Sequence, residues 1–428
     1  MHHVRPANSP PPRTLARKLH LSDAVFIGMA SMIGAGIFAA ISPAAAAAGN
    51  WMLVSLGIAA TVAFCNALSS AQLAALYPQS GGTYVYGRMR LGHFWGYLAG
   101  WGFVIGKVAS CAAMALTFGY YVSGDYARGL AVAAVIAFTT VNALGVEKTA
   151  GLARVLVILV ILALVPPVFA AFGADRVGVS TALPSGGAPG GRHLLEGAAL
   201  LFFAFAGYAR IATLGEEVIE PAKNIPRAIP IALALVLLVY AAVIASALFV
   251  LGPSGLASSA APLVKVVQDA GWGRIAPVVR AGAALASLSV LLSLLAGVGR
   301  TSFAMARERD LPGWLDAVHP RFRVPQRAEL VIGIVVVVLA ATLDLRSAIG
   351  FSSFAVLFYY AIANASAWTL AGPERRFPRW VSVLGVAGCV ALAVSLPVHT
   401  LIAGGVLFAI GAGVFAVRHA PFVRRPAA

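Results

Sequence analysis

The chain has 428 residues, of which 60% are hydrophobic and 11% are charged, and its net charge is +16. A soluble domain has about 25% charged residues, so this composition excludes a water-soluble globular protein and indicates a chain that lies in a lipid bilayer. The basic residues occur in short stretches between apolar segments, which is typical of membrane-protein loops and excludes a nucleic-acid-binding surface.

A helix needs about 20 apolar residues to cross a membrane. Charged residues and Gly/Pro clusters divide this chain into twelve such segments, which predicts an all-α, polytopic membrane protein. A polar N-terminal tail over 1–20 precedes a single transmembrane domain over 21–428. The predicted spans are 22–48, 51–77, 93–123, 128–145, 150–173, 193–219, 226–252, 272–306, 328–345, 347–371, 379–396 and 398–418.

The loops predicted on the N-terminal side hold about three times as many Lys and Arg residues as the opposite loops. Because basic loops stay in the cytoplasm, both termini are predicted to be cytoplasmic, in a multi-pass protein of the inner (plasma) membrane. Cys65, Cys111 and Cys389 lie inside apolar segments without metal-ligand spacing. Neither a disulfide, nor a metal site, nor a cofactor is therefore expected.

Glycines interrupt two of the predicted spans near their centres: Gly34 and Gly36 in helix one, and Gly207 in helix six. These helices begin successive blocks of five, and paired interruptions at corresponding positions are typical of a transporter binding site. An unwound helix frees backbone groups that are costly in hydrocarbon unless they line a cavity. Freed N–H groups suit a carboxylate and freed carbonyls suit an ammonium group, which together fit an amino acid. Each glycine alone also fits close helix packing.

Two basic residues are counted on neither side of the membrane, because they are assigned to the interior of predicted spans. Lys107 lies near the centre of helix three, where a charge is costly and indicates a functional site. We interpret it as a proton-coupling residue; the alternative is a structural ammonium bonded to carbonyls of the helix-one or helix-six interruption. Arg210 follows the helix-six interruption, seven residues before Glu217 on the same predicted helical face. It is expected to act in coupling or gating, or to form a structural ion pair.

Short motifs spread from predicted helix one to predicted helix nine are, taken together, specific for one protein family. They are Ile33-Gly-Ala-Gly-Ile-Phe38, Ser80-Gly-Gly-Thr-Tyr-Val-Tyr86, Phe202-Phe-Ala-Phe with Gly207-Tyr208, Glu216-Glu217, Glu220-Pro221, Ile225-Pro-Arg-Ala-Ile-Pro230, Phe303-Ala-Met-Ala-Arg307 with Leu311-Pro312, and His319-Pro320. Through them the chain resembles the amino acid–polyamine–organocation transporter family, near its cationic-amino-acid-transporter-like branch. The resemblance implies the leucine-transporter-type fold, with helices 1–5 and 6–10 as inverted repeats and helices 11 and 12 appended.

The resemblance also implies a site. The substrate carboxylate would meet backbone N–H groups from Ala35 to Ile37, and the ammonium would meet carbonyls including those of Met32 and Ala206. Phe203 would close over the substrate as an aromatic lid. The expected substrate-binding residues are Met32, Ile33, Gly34, Ala35, Gly36, Ile37, Phe203, Ala206 and Gly207.

The chain departs from the family pattern at two positions. Some proton-coupled members have a lysine in helix five, where this chain has Val160. Many have an acidic residue followed by a small one where this chain has Ala209 and Arg210. Both departures leave the coupling ion open.

The predicted function is secondary active transport of amino acids by alternating access, coupled to protons or driven by exchange. The pocket has no evident acidic residue, which favours neutral amino acids; a polyamine or organocation transporter and an amino-acid exporter are the alternatives. The chain lacks His-Glu-x-x-His, Gly-x-Ser-x-Gly and phosphate-loop motifs, so it is not expected to be an enzyme. Nothing resembles a selectivity filter or a pore ring of a channel.

Overall fold

A computed structural model describes residues 19–34, 36–77, 81–145, 150–173, 190–212, 217–322 and 324–419. Within these ranges the chain is almost wholly helical, and its one isolated β-bridge pairs Leu19 with Val218. Seven helical segments in the described part are long and apolar enough to cross a membrane. The chain is therefore a multi-pass helical membrane protein, as its composition predicts.

Helical residues lie within all twelve predicted spans. The helices of the first half are α1 Leu21–Ile33, α2 Gly36–Ala48, α3 Met52–Leu76, α4 Thr83–Arg90, α5 His93–Val122, α6 Ala127–Ala143, α7 Ala150–Gly173, α8 Gly191–Phe205 and α9 Ala209–Ala212. Those of the second half are α10 Pro221–Ala257, α11 Pro262–Asp269, α12 Ala276–Arg307, α13 Gln326–Thr342, α14 Leu345–Trp368, α15 Arg379–Ser395 and α16 Val398–His419.

The sequence did not predict the two short helices α4 and α11, which lie in connections between longer helices. Helix α4 has two arginines in its last turn, Arg88 and Arg90. Helix α10 is longer than its predicted span because it begins at Pro221 and continues through a kink at Gly252, whose φ is 64°. Glycine adopts this left-handed conformation without the clash that a Cβ would cause.

The helix ends form two opposite faces. At the first face, where α1 begins, the Leu19 N–H donates to the Glu217 carbonyl at 3.0 Å, and the Ile219 N–H donates to the Leu19 carbonyl at 2.9 Å. At the second face, where α2 ends, the Ser42 hydroxyl donates to the Ser259 carbonyl at 2.6 Å. The segments before α1 and before α10 are therefore joined by main-chain bonds at the first face.

Helix α5 lies at the centre of the bundle, between α12 and α14, while α2 packs along α8. In the most apolar stretch of α5, 78% of the residues are buried. The corresponding value for α16 is 17%, so α16 lies at the periphery. The exposed side chains of α16 are apolar, among them Ile402 and Val406. Apolar side chains on the outside of a helix bundle are what a lipid environment requires, because lipid does not penalise their exposure.

Candidate functional site

The first helical interruption lies between α1, which ends at Ile33, and α2, which begins at Gly36. Gly34 leaves the helical conformation, with φ −45° and ψ −139°. Ala35 lies outside the described residues. The last carbonyls of α1 and the first N–H groups of α2 have no partner within their own helices. The predicted mid-span break is therefore present in the backbone.

The second interruption follows α8, which ends at Phe205. Ala206–Tyr208 form a 3-10 turn, and the short helix α9 ends at Ala212. The span predicted over 193–219 is therefore interrupted near Gly207, as predicted, but residues 217–219 at its end lie outside the helix. The idea that Arg210 and Glu217 share a helical face is wrong, because Glu217 lies in a turn beyond the end of α9.

Two glycines let the interruptions meet. A Cβ on Gly36 would lie 2.7 Å from the Ala204 Cα of α8, and a Cβ on Gly207 would overlap the Ser31 carbonyl of α1. Both obstacles are backbone atoms, which cannot rotate away as a side chain could. These glycines therefore allow close packing, which brings the two breaks side by side. Their role in substrate binding stays a prediction.

A tyrosine of α10 connects the breaks. The Tyr240 hydroxyl lies 2.5 Å from the Met32 carbonyl oxygen and 3.0 Å from the Ala204 carbonyl oxygen. Tyr240 is completely buried. The sequence contained a signal for it: a tyrosine within an apolar helix needs a hydrogen-bond partner, because an unpaired hydroxyl is costly there. Its partners, however, could not be read from the sequence.

Two further side chains converge on the second break. The Lys107 ammonium of α5 donates to the Ala206 carbonyl at 3.4 Å, and the Tyr360 hydroxyl of α14 donates to the same oxygen at 3.3 Å. Lys107 is 7% exposed, so its charge lies inside the bundle. The geometry thus brings Lys107 to a predicted site carbonyl, while Tyr360 was missed by sequence reasoning.

The other predicted residues surround this junction. Ile33, Ile37 and Phe203 are buried. The Phe203 carbonyl accepts the Ala206 N–H, so this oxygen already has one partner. Arg210 lies in α9, beyond the break on the side of the first face, and is exposed. The binding roles of these residues remain predictions.

A small cavity lies beside the first break, between α1, α7 and α12. Its volume is about 10 Å³, roughly the space of one water molecule. The lining residues are Ala30, Gly34, Leu156, Val157, Val160, Ala286 and Ser289. Val160 therefore lies against the break, at the point where the family resemblance puts the lysine of some proton-coupled members. None of the lining side chains is charged.

Ion pairs join helices on both sides of the junction. At the first face Asp23 of α1 pairs with Arg154 of α7. At the second face the Arg346 guanidinium, at the start of α14, donates to the Glu196 carboxylate of α8 at 2.8 Å. Each pair connects one half of an interrupted helix to a neighbouring helix.

A family model described as amino acid permease matches residues 19–423. The chain belongs to the amino acid permease family. This confirms the resemblance found in the motifs, and the family's members and the relatives below are transporters and permeases. The chain is accordingly a membrane transporter. The names of its family and relatives point to transport rather than to an enzymatic activity.

The permease has relatives of different similarity. A protein named uncharacterized transporter from Mycobacterium tuberculosis (strain ATCC 25618 / H37Rv) is 58% identical over 95% of this chain and 92% of its own length. The branched-chain amino acid permease of Bacillus subtilis (strain 168) is 27% identical over 89% of this chain and 87% of its own length. Cationic amino acid transporter 7, chloroplastic, from Arabidopsis thaliana is 29% identical, over 82% and 65% respectively.

Proposed function

We propose that this permease is a secondary active transporter that holds the backbone part of an amino acid between its two helix breaks. The observation that carries the proposal is the contact of the breaks, which are bridged by the Tyr240 hydroxyl through the Met32 and Ala204 carbonyls. Freed N–H and C=O groups side by side provide both halves of a zwitterion site.

The substrate carboxylate binds the N–H groups at the start of α2, from Gly36 and Ile37, where the positive end of the helix dipole adds to the attraction. The substrate ammonium binds the carbonyls of Met32 and Ala206. In the present arrangement these carbonyls accept from Tyr240, Tyr360 and Lys107. The substrate ammonium therefore replaces donors of the protein's own, rather than filling an unsatisfied site.

Lys107 favours neutral amino acids over cationic amino acids and polyamines. Its ammonium lies on the carbonyl that the substrate would use. A charged lysine there repels a substrate of net positive charge more than a zwitterion, whose carboxylate offsets its own ammonium. Polyamines also lack the carboxylate that the N–H groups of α2 would bind. Lys107 is in addition our candidate for proton coupling, since Val160 stands where some family members have their lysine.

The membrane topology we propose has twelve spans in two inverted repeats of five, followed by α15 and α16. The first face, with both termini, is cytoplasmic because basic residues are about twice as common there as at the second face. The described basic residues of the first face are Arg88, Arg90, Arg154, Lys223, Arg227, Arg307, Arg309, Arg321, Arg327, Arg375, Arg376, Arg379 and Arg418. Those of the second face are Arg128, Arg192, Lys265, Arg274, Arg280 and Arg346.

Alternating access then requires each ion pair to open in turn. Release of Asp23 from Arg154 frees α1 from α7 at the cytoplasmic face. Release of Glu196 from Arg346 frees α8 from α14 at the opposite face. With both pairs formed, the arrangement corresponds to a state closed on both sides.

Counterflow in proteoliposomes tests the proposal. Vesicles loaded with one of twenty amino acids, or with a polyamine, receive the labelled compound outside at two pH values. We expect saturable, trans-stimulated uptake of one or more neutral amino acids. Flux that rises linearly with concentration would contradict a carrier, and uptake of polyamines alone would contradict the zwitterion site.

A further inference from the structure

A cluster of three metal-ligating side chains lies at the first face, away from the helix breaks. Asp310 follows the end of α12, His93 begins α5, and His419 ends α16. One ligand atom from each lies within 4.8 Å of the others. The Asp310 side chain is completely buried, whereas both histidines are about one-third exposed, so a solute can reach the cluster.

The backbone holds Asp310 in place. Arg309 has the left-handed conformation, with φ 64°, and the Asp310 N–H donates to the Met305 carbonyl at 2.8 Å. A non-glycine residue rarely adopts this conformation, because its Cβ then lies close to the backbone carbonyl. The Arg418 guanidinium donates to the Arg309 carbonyl at 3.2 Å, which ties the end of α16 to the same turn.

The two carboxylate oxygens of Asp310 have different surroundings. Oδ2 accepts the Tyr84 hydroxyl at 2.7 Å and lies 3.7 Å from Arg88. Arg88 also pairs with Glu308 at 3.2 Å, so its positive charge is matched by a second carboxylate. Oδ1 faces the histidines: it lies 2.7 Å from His93 Nε2 and 3.7 Å from His419 Nε2.

The hydrogen bond of His419 determines which of its nitrogens can bind a cation. Its Nδ1 lies 3.0 Å from the Phe415 carbonyl oxygen. A carbonyl only accepts, so Nδ1 bears the hydrogen, and in the neutral ring Nε2 presents a lone pair. Nε2 and Asp310 Oδ1 are then two acceptors facing each other without a hydrogen between them. A histidine with one nitrogen on a backbone carbonyl and the other free is the usual arrangement of a metal ligand.

We propose that His93, His419 and Asp310 form a binding site for a divalent transition-metal ion, with Zn²⁺ as the best match. Two imidazoles and one carboxylate are ligands that Zn²⁺ accepts, with a water in the fourth position. Tetrahedral Zn²⁺ requires neighbouring ligand atoms about 3.4 Å apart. Without the ion, His93 Nε2 and Oδ1 form a hydrogen bond at 2.7 Å, so binding Zn²⁺ would replace that hydrogen and widen this separation. The 3.7 Å separation between His419 Nε2 and Oδ1 would need to shorten only slightly.

The ion joins the end of the peripheral helix α16 to α5 and α12. The cysteine pattern did not predict this site because its ligands are histidines and an aspartate from three distant segments. The site is independent of the transport proposal, since it lies outside the helix breaks and is measured without substrate.

The test is a calorimetric titration of the metal-free, full-length protein with Zn²⁺, purified without a polyhistidine tag. All variants carry His2→Gln and His3→Gln, because these adjacent histidines could bind metal themselves. We expect one Zn²⁺ per chain, and an affinity at least about tenfold weaker for His93→Gln and for His419→Gln. His399→Gln is the matched control, since His399 is exposed at the opposite end of α16, and it should bind as tightly as the parent.

Thermal unfolding provides a second readout. Zn²⁺ should raise the Tm of the parent and of His399→Gln, but not that of His419→Gln, because only a ligand of the folded state stabilises it. Absence of Zn²⁺ binding, or equal affinity in His419→Gln and His399→Gln, would overturn the proposal. If the cluster binds no Zn²⁺ and responds only to pH, it would be a protonation site, which would also overturn the proposal.

Discussion

Tyr240 of α10 reaches Met32 at the first helix break, with the tyrosine hydroxyl 2.5 Å from the carbonyl oxygen near the end of α1. The same hydroxyl lies 3.0 Å from the Ala204 carbonyl of α8. A hydroxyl has one hydrogen, so two acceptors share it. The Met32 and Ala204 carbonyls therefore depend on one shared donor, which a substrate ammonium would replace at Met32.

Tyr240→Phe should lower the free energy of unfolding by about 1–3 kcal/mol, because two buried carbonyls lose their shared donor. Saturating substrate should recover part of this loss, since its ammonium supplies hydrogen to the Met32 carbonyl. Thermal unfolding with and without substrate measures both effects. Tyr126→Phe is the control, since Tyr126 is 73% exposed, and it should leave the Tm unchanged. A substrate-induced stabilisation equal in both variants would contradict the role of Met32.

Lys107→Met should make uptake independent of pH, because the methionine keeps the length of the side chain and removes the titrating group at the Ala206 carbonyl. Initial uptake rates across a series of pH values test this expectation. Lys223→Met removes an exposed lysine of α10 and should retain the pH response. A Lys107→Met protein with the parent's pH response would leave Lys107 with a structural role only.

Gly207→Ala should reduce transport at least about tenfold, because the added Cβ would overlap the Ser31 carbonyl and push the breaks apart. Overpacking of this kind costs about 1–3 kcal/mol, so the Tm should fall as well. Gly405→Ala is the matched control, because a Cβ there meets no atom within 4 Å. Transport by Gly207→Ala at the rate of Gly405→Ala would show that the close approach is unnecessary.

Asp23→Asn should open the first face more often by breaking the contact with Arg154. Half of the Arg154 side chain is exposed, so solvent screens the pair and the expected change is about 0–1 kcal/mol, or up to about fivefold in the open population. Alkylation of Ala30→Cys, which lines the cavity behind this pair, measures the opening; the natural cysteines are buried. Lys223→Gln, which breaks an exposed pair with Glu220, should not change the labelling rate.

Much of the helical architecture could be predicted from local composition. Long apolar segments must satisfy their backbone groups internally in a bilayer, so helices follow from hydropathy alone. The interruption at Gly34 was also predictable, because a glycine near the centre of an apolar segment can be seen in the local sequence. The division of α8 from α9 was placed correctly near Gly207, but the extent of the turn over Ala206–Tyr208 was not, since helix boundaries depend on neighbouring helices.

The sequence by itself determined that this chain lies in a membrane as a bundle of helices, two of which are broken. Only the tertiary structure decided which side chains meet the broken ends. Tyr240 stands 208 positions from Met32, and Tyr360 stands 154 positions from Ala206. Helices that are apolar on all sides carry no polar face to indicate their rotation. Which residue points at which carbonyl is therefore set by packing between helices, which no local pattern records.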